Sequence, residues 1–216
     1  MKLTKYTHSC VRLENEGKTL VLDPGGFSEV EKALDGADYI FITHVHPDHF
    51  DSERVIAFSK ENPEVPLYAP QAVIDEVSKE LPEAKVQLAE AKETIELEGF
   101  TLKTYGSQHA LIHPLVPTID NVGVLVNDNV FHPGDSFTVP HGIQAKTLLA
   151  PIHAPWNKMS EVIDFVISVR APQVYPIHDS LLADNGRNLI ETQVTNLTVD
   201  YGVTYTHLDP EESVEL

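Results

Sequence analysis

The run Thr43-His44-Val45-His46-Pro47-Asp48-His49 places three imidazoles and a carboxylate within six positions, directly after the apolar YIFI. Both side-chain types are metal ligands: a neutral imidazole offers a nitrogen lone pair and an ionised carboxylate offers oxygen. In an extended segment alternate residues share a side, so His44 and His46 reach one cation together while Val45 faces away. Pro47 then turns the chain and lets Asp48 and His49 approach from another direction. Three further residues of ligand type follow predicted strands: His109 after TLKTYGSQ, Asp135 after NVFHPG and His178 after QVYPI. Strand ends are where a rigid sheet projects side chains into a loop-lined cleft. Gly106 and Gly134 stand beside two of these residues and allow close backbone approach.

The elements that must hold these groups are readable in outline. Val11–Leu13 and TLVLD form a hairpin around Asn15-Glu16-Gly17-Lys18, leading into the loop DPGG. A short helix over 28–36 precedes DYIFIT, a buried strand by its brief β-branched and aromatic run. Ser52 is the expected N-cap of a helix through about Lys60, stopped before Pro63. A strand near VPLYAP and a helix from about Gln71 to Leu81 come next. TIELEGFTLKTYG and NVGVLVNDNVFHPGD read as hairpins, TLLAPI and QVYPIH as strands, and EVIDFVISVR as an amphipathic helix. A last helix is expected from Ile190 to about Val199, with VTYTHL as a closing strand. Hairpin clusters in both halves with helices between them predict an α+β protein in which sheets pack on each other under helical cover. No repeat or linker interrupts the 216 residues, so one domain spanning 1–216 is expected.

Composition excludes several partners. The 33 acidic and 15 basic residues give a net charge of −18, a field that repels polyanions, and the basic residues form no stripe. No nucleic-acid partner is expected. No apolar run approaches the roughly 18–20 residues of a membrane span, and MKLTKYTHSC lacks a signal-peptide core. A soluble cytoplasmic protein is the expectation, with assembly into a homo-oligomer left open. The one cysteine, Cys10, forms no internal disulfide and reads as a small buried residue rather than a catalytic thiol.

HVHPDH resembles the signature of the metallo-β-lactamase superfamily, and His109, Asp135 within GDS, and His178 follow in the order that superfamily uses. THSC, HPGD and APIHAPW resemble a subgroup of small cytoplasmic hydrolases related to L-ascorbate-6-phosphate lactonase. The resemblance implies a four-layer αββα sandwich with two divalent metal ions in the groove between its sheets, zinc first, with manganese or iron as alternatives. Carried over by motif, His44, His46 and His109 hold the first ion, Asp48, His49 and His178 the second, and Asp135 bridges them.

The implied activity is hydrolysis of a small ester, lactone, thioester or phosphoester through a metal-bridging hydroxide. Asp48 is the expected catalytic proton carrier. His8, His113, His132, His153 and Trp156 are expected either to line a substrate pocket or to orient the ligands from behind, and His8, His113 or His153 to face a developing oxyanion. His141 and His207 are expected to be ordinary surface or core residues. Two rivals remain at this point: a metal-dependent nuclease or phosphodiesterase, which the acidic balance opposes, and a non-haem iron oxidoreductase on the same fold.

Overall fold

A computed structural model describes residues 1–216. The first half of the chain gives β1 (Lys2–Lys5), β2 (Val11–Asn15), β3 (Lys18–Leu22), α1 (Val30–Leu34), β4 (Tyr39–Phe41), α2 (Ser52–Glu61), β5 (Leu67–Ala69), α3 (Gln71–Glu80) and β6 (Val86–Leu88). The second gives β7 (Thr94–Leu97), β8 (Phe100–Tyr105), β9 (Gly123–Val126), β10 (Val130–His132), β11 (Thr147–Pro151), α4 (Met159–Val169), β12 (Gln173–Ile177), α5 (Asp184–Thr198), β13 (Thr204–Tyr205) and β14 (Ser213–Glu215).

The strands form two seven-stranded sheets, in the orders β14-β1-β2-β3-β4-β5-β6 and β13-β12-β11-β10-β9-β8-β7. Each joins antiparallel hairpin strands to a parallel half: β3, β4, β5 and β6 run parallel in the first, and β10, β11, β12 and β13 in the second.

Side-chain alternation along the strands builds the layers. Leu20 and Leu22 of β3 and Phe41 of β4 face inward, where they meet Phe100, Leu102, Val124, Leu149 and Ile177 of the other sheet. Val21 and Ile40 face outward and pack under Val30, Leu34, Val55, Ile56, Val73 and Val77 of α1, α2 and α3. On the far side Leu148, Ala150 and Val174 pack under Val162, Phe165, Val166 and Val194 of α4 and α5. Three apolar seams separate four layers in the expected αββα order. No helix is long and apolar enough to cross a membrane.

Three local expectations need correction, and one further strand, β14, was not expected. Asp51, not Ser52, caps α2: its carboxylate accepts from the Arg54 N–H at 3.0 Å and also complements the positive helix end. α5 starts at Asp184 rather than Ile190, because Ile190 and Val194 pack into the seam beneath it despite the turn-like Asn185-Gly186. VTYTHL pairs over only Thr204–Tyr205. The chain then crosses back, and β14 closes the first sheet by pairing Val214 with Leu3, a strand too short and polar to show periodicity.

Candidate metal centre

The ligand-type residues converge because the strands that precede them end at the same rim of the two sheets. Thr43 and His44 follow β4, Asp135 follows β10 after Pro133-Gly134, and His178 directly follows β12. The loop after His44 is pinned by backbone bonds from the His49 and Phe50 N–H groups to His46 O, at 3.0 and 2.9 Å, with Phe50 buried beneath it. Gly25 passes so close that an added Cβ would lie 1.8 Å from Asp48 O. Gly134 turns at φ +62°, where a Cβ would strike Asn121 Oδ1 at 2.3 Å. Of the two glycines expected near the site, Gly106 instead abuts Thr138.

Two ligand groups result. His44, His46, His109 and Asp135 form one, and His8, Asp48, His49 and His178 the other; within each, the ligand atoms lie within 4.8 Å of one another. Asp135 stands between them. Its Oδ2 is 3.2 Å from His109 Nε2 and 3.2 Å from His178 Nε2, while its Oδ1 is 3.0 Å from His49 Nε2. The structure therefore brings together all seven residues expected as ligands.

The outer ring nitrogens settle which atoms face inward. His109 Nδ1 donates to Ala110 O and His178 Nδ1 to His153 O, each at 2.6 Å. His49 Nδ1 is bonded to Asp23 Oδ2 at 2.6 Å. His44 Nδ1 reaches Thr43 Oγ1 at 3.0 Å, and that hydroxyl in turn donates to Asp23 Oδ2 at 2.7 Å. Fixing the proton on Nδ1 leaves the Nε2 lone pair pointing into the site, the tautomer that metal-binding histidines adopt. His44 Nε2, His109 Nε2, His178 Nε2 and Asp135 Oδ1 are buried and have no hydrogen-bond partner. Buried polar atoms are almost always paired, and several orphans converging on one point fit a pair of divalent cations.

Electrostatics agree. Burial opposes the charge of Asp48, but the nearby ring of His178 and the hydrogen-bonded ring of His8 hold its carboxyl well below the usual carboxylate range. Asp135 is likewise kept ionised against burial by His49 and His178. Burial also opposes charge on His178, yet Asp135 and Asp48 push it up to about 9. The buried Asp135 and the partly buried Asp48 thus demand positive charge, which protons on His49 and His178 supply when no cation does. Burial instead draws His8 down to about 4.

The remaining expected residues divide. His8 is wholly buried at φ +67°, with Nε2 3.1 Å from Asp48 Oδ2 and Nδ1 2.8 Å from Ser180 Oγ, so it braces Asp48 rather than facing an oxyanion. His132 is also buried, bonded to Ser9 O and the Gly134 N–H, and supports the turn before Asp135 from behind. His153 contributes its carbonyl to His178, not its ring. Trp156 donates from Nε1 to Asp135 Oδ2 at 3.0 Å and lines the cleft. His113 corrects the expectation: it is exposed, bonded to the Leu115 N–H and outside the cleft wall, because the segment after His109 carries it outward. His141 is exposed, and His207 pairs with Glu191 at the surface.

Sequence reasoning missed Asp23. Fully buried at φ +48°, it accepts from the Thr43 N–H and hydroxyl, each at 2.7 Å, and from His49. Its only signal was an Asp closing the strand TLVL before Pro-Gly-Gly. Asn121, whose Oδ1 accepts from the Asp135 N–H at 2.9 Å, and the buried Lys5–Asp179 pair at 3.2 Å also escaped notice.

Comparison with known proteins accords with this geometry. A family model described as the beta-lactamase superfamily domain matches residues 2–178. Protein Rv0786c of Mycobacterium tuberculosis is 35% identical over 225 aligned positions, covering 99% of this chain and 98% of that protein. The solved structure of Igni18, a metallo hydrolase from the archaeon Ignicoccus hospitalis, superposes with a TM-score of 0.74 at 19% identity, covering 99% of this chain and 97% of the other. YhfI of Bacillus subtilis, a metallo-beta-lactamase fold protein, gives 0.75 at 14% identity, covering 99% and 98%. The two structural likenesses identify the fold.

Proposed function

The chain belongs to the β-lactamase superfamily, and we propose that it is a dinuclear metal-dependent hydrolase of a small ester, lactone, thioester or phosphoester. The observation that carries this reading is the position of Asp135, whose carboxylate lies within 3.2 Å of ring nitrogens from both ligand groups. His44, His46 and His109 would hold one divalent ion, Asp48, His49 and His178 the other, and Asp135 both. Zinc is the first choice for a donor set of five imidazoles and two carboxylates, with manganese or iron sharing the same ligand chemistry. Bound there, the ions supply an activated water near neutral pH and polarise the oxygen of the group under attack.

The chain's own residues supply orientation and proton movement. Asp48 would accept the attacking water's proton and deliver it to the leaving group, a role supported by the bracing of its Oδ2 by His8 Nε2 at 3.1 Å and its position 3.4 Å from His178 Nε2. Asp23 fixes His49 directly and His44 through Thr43, so the ligand rings need no reorganisation during turnover. His8, Asp23 and His178 all hold positive φ, at 67°, 48° and 58°, a local strain that the surrounding fold sustains at the site.

The test is turnover of a chromogenic panel, 4-nitrophenyl esters, aryl lactones and bis(4-nitrophenyl) phosphate, by metal-replete protein with and without chelator. Cleavage of at least one class, abolished by chelator and restored by zinc, is expected. Chelator-insensitive cleavage would contradict the reading.

A further inference from the structure

The cleft that opens onto the two ligand groups encloses about 300 Å³, enough for a small ligand. The apolar part of its wall includes Phe27, Ile112, Pro155, Leu181 and, against the ligands, Trp156. Phe27, Ile112 and Leu181 are 48%, 37% and 55% exposed, although most large apolar side chains of the protein are buried. The apolar character continues outward along the segment after His109, where Leu111, Leu115 and Val116 are exposed. Contiguous exposed apolar surface beside a polar site is the usual mark of a binding surface. The only charged groups in the wall are the ligand carboxylates Asp48 and Asp135 and the ligand imidazoles; no lysine or arginine lines it.

This wall sorts substrates by what they carry beyond the reacting bond. An anionic tail would surrender its water there and meet no cation, whereas a hydrocarbon tail gains about fourfold in binding per buried methylene. Building on the hydrolytic reading above, we infer that the physiological substrate is an uncharged carboxylic ester or lactone with an aliphatic or aryl acyl group, not a phosphorylated or otherwise anionic compound. In the reaction the water oxygen bonds to the carbonyl carbon and the carbon–oxygen bond to the leaving group breaks. The water's proton passes to the departing alkoxide, giving an acid and an alcohol.

Trp156 is the only tryptophan and lines the cleft, so its fluorescence reports occupancy without turnover. Zinc-loaded protein is titrated with butyranilide, an amide isostere of an uncharged ester, and with the 4-sulfonate of the same anilide. Butyranilide is expected to bind at least tenfold more tightly, and Ile112→Lys is expected to reduce that ratio severalfold. Equal or tighter binding of the sulfonate by the native protein would overturn the inference. Turnover of the full chromogenic panel, run in parallel with and without chelator, tests the hydrolytic reading separately: absence of chelator-sensitive cleavage of every class would sink that reading while the binding ratio still reads the cleft.

Discussion

The indole N–H of Trp156 donates to Asp135 Oδ2 at 3.0 Å, which joins the only tryptophan to the carboxylate standing between the two ligand groups. Its ring also lies edge-on to His109 and His178, with centroids 5.9 and 6.1 Å away. Metal uptake is therefore expected to change its emission in a saturable titration. Trp156→Phe keeps the aromatic wall but removes the donor, a hydrogen bond to a charged group worth about 1.5–3 kcal/mol. Weaker metal retention with little loss of fold is the expected outcome, read by competition with a chromophoric chelator; unchanged retention would show that the bond does not steer Asp135.

Asp23 offers a cleaner separation of orientation from folding. Asp23→Asn tolerates the φ of +48° and keeps the size, but it loses the charge that holds His49 and Thr43. Metal affinity is expected to fall about 10- to 100-fold, while the far-UV circular dichroism stays native. An undiminished affinity would place the orienting role elsewhere.

The buried pair of Lys5 and Asp179 ties β1 of one sheet to the residue after His178 at the end of β12 in the other, at 3.2 Å. Lys5→Met leaves a carboxylate uncompensated, which costs about 3–5 kcal/mol, a fall in Tm on the order of 10 °C for a chain of this size. Differential scanning calorimetry of metal-free protein reads it directly. A loss under 1 kcal/mol would mean that water replaces the lysine at no cost.

Protonation gives the metal-free protein an optimum. His178 is raised to about 9 against an unfolded value near 6.5, so its pairing with Asp135 and Asp48 stabilises fully below about pH 6.5 and is lost as pH rises through 9. His8 is lowered to about 4, so its buried neutral form stabilises above about 6.5 and is lost as pH falls toward 4. Tm of chelator-treated protein should peak near pH 6.5 to 7 and fall on both sides. Zinc-loaded protein should hold its Tm through the alkaline limb, because cations then replace those protons. A Tm that climbs steadily from pH 7 to 9 without metal would contradict the pairing of His178.

Much of the site was legible because its chemistry sits in residue types that are costly to bury without a purpose. HVHPDH announced four residues of ligand type, and His109, Asp135 and His178 were found because each follows an apolar run that reads as a strand. The two central sheets were legible in the same way, since Leu20, Val21 and Leu22 or Leu148, Leu149 and Ala150 leave no face for solvent. Asp23 was not legible, because an aspartate before Pro-Gly-Gly has the composition of a turn and its function lies in contacts with Thr43 and His49, far along the chain. His113 misled for the converse reason: its type suited the site, but only the path of the segment after His109 decides where its ring goes. The start of α5 and the strand β14 depend on packing against α4 and β1, which local periodicity does not record.

A pair of ions shared through Asp135 would be read most directly by metal content. Protein is loaded with zinc, dialysed and assayed by plasma mass spectrometry, alongside His109→Ala from one ligand group, His178→Ala from the other, and Asp135→Ala. About two ions per chain are expected in the native protein, about one in each histidine variant, and fewer than one in Asp135→Ala. One ion or none in the native protein, or two retained in Asp135→Ala, would contradict the shared pair.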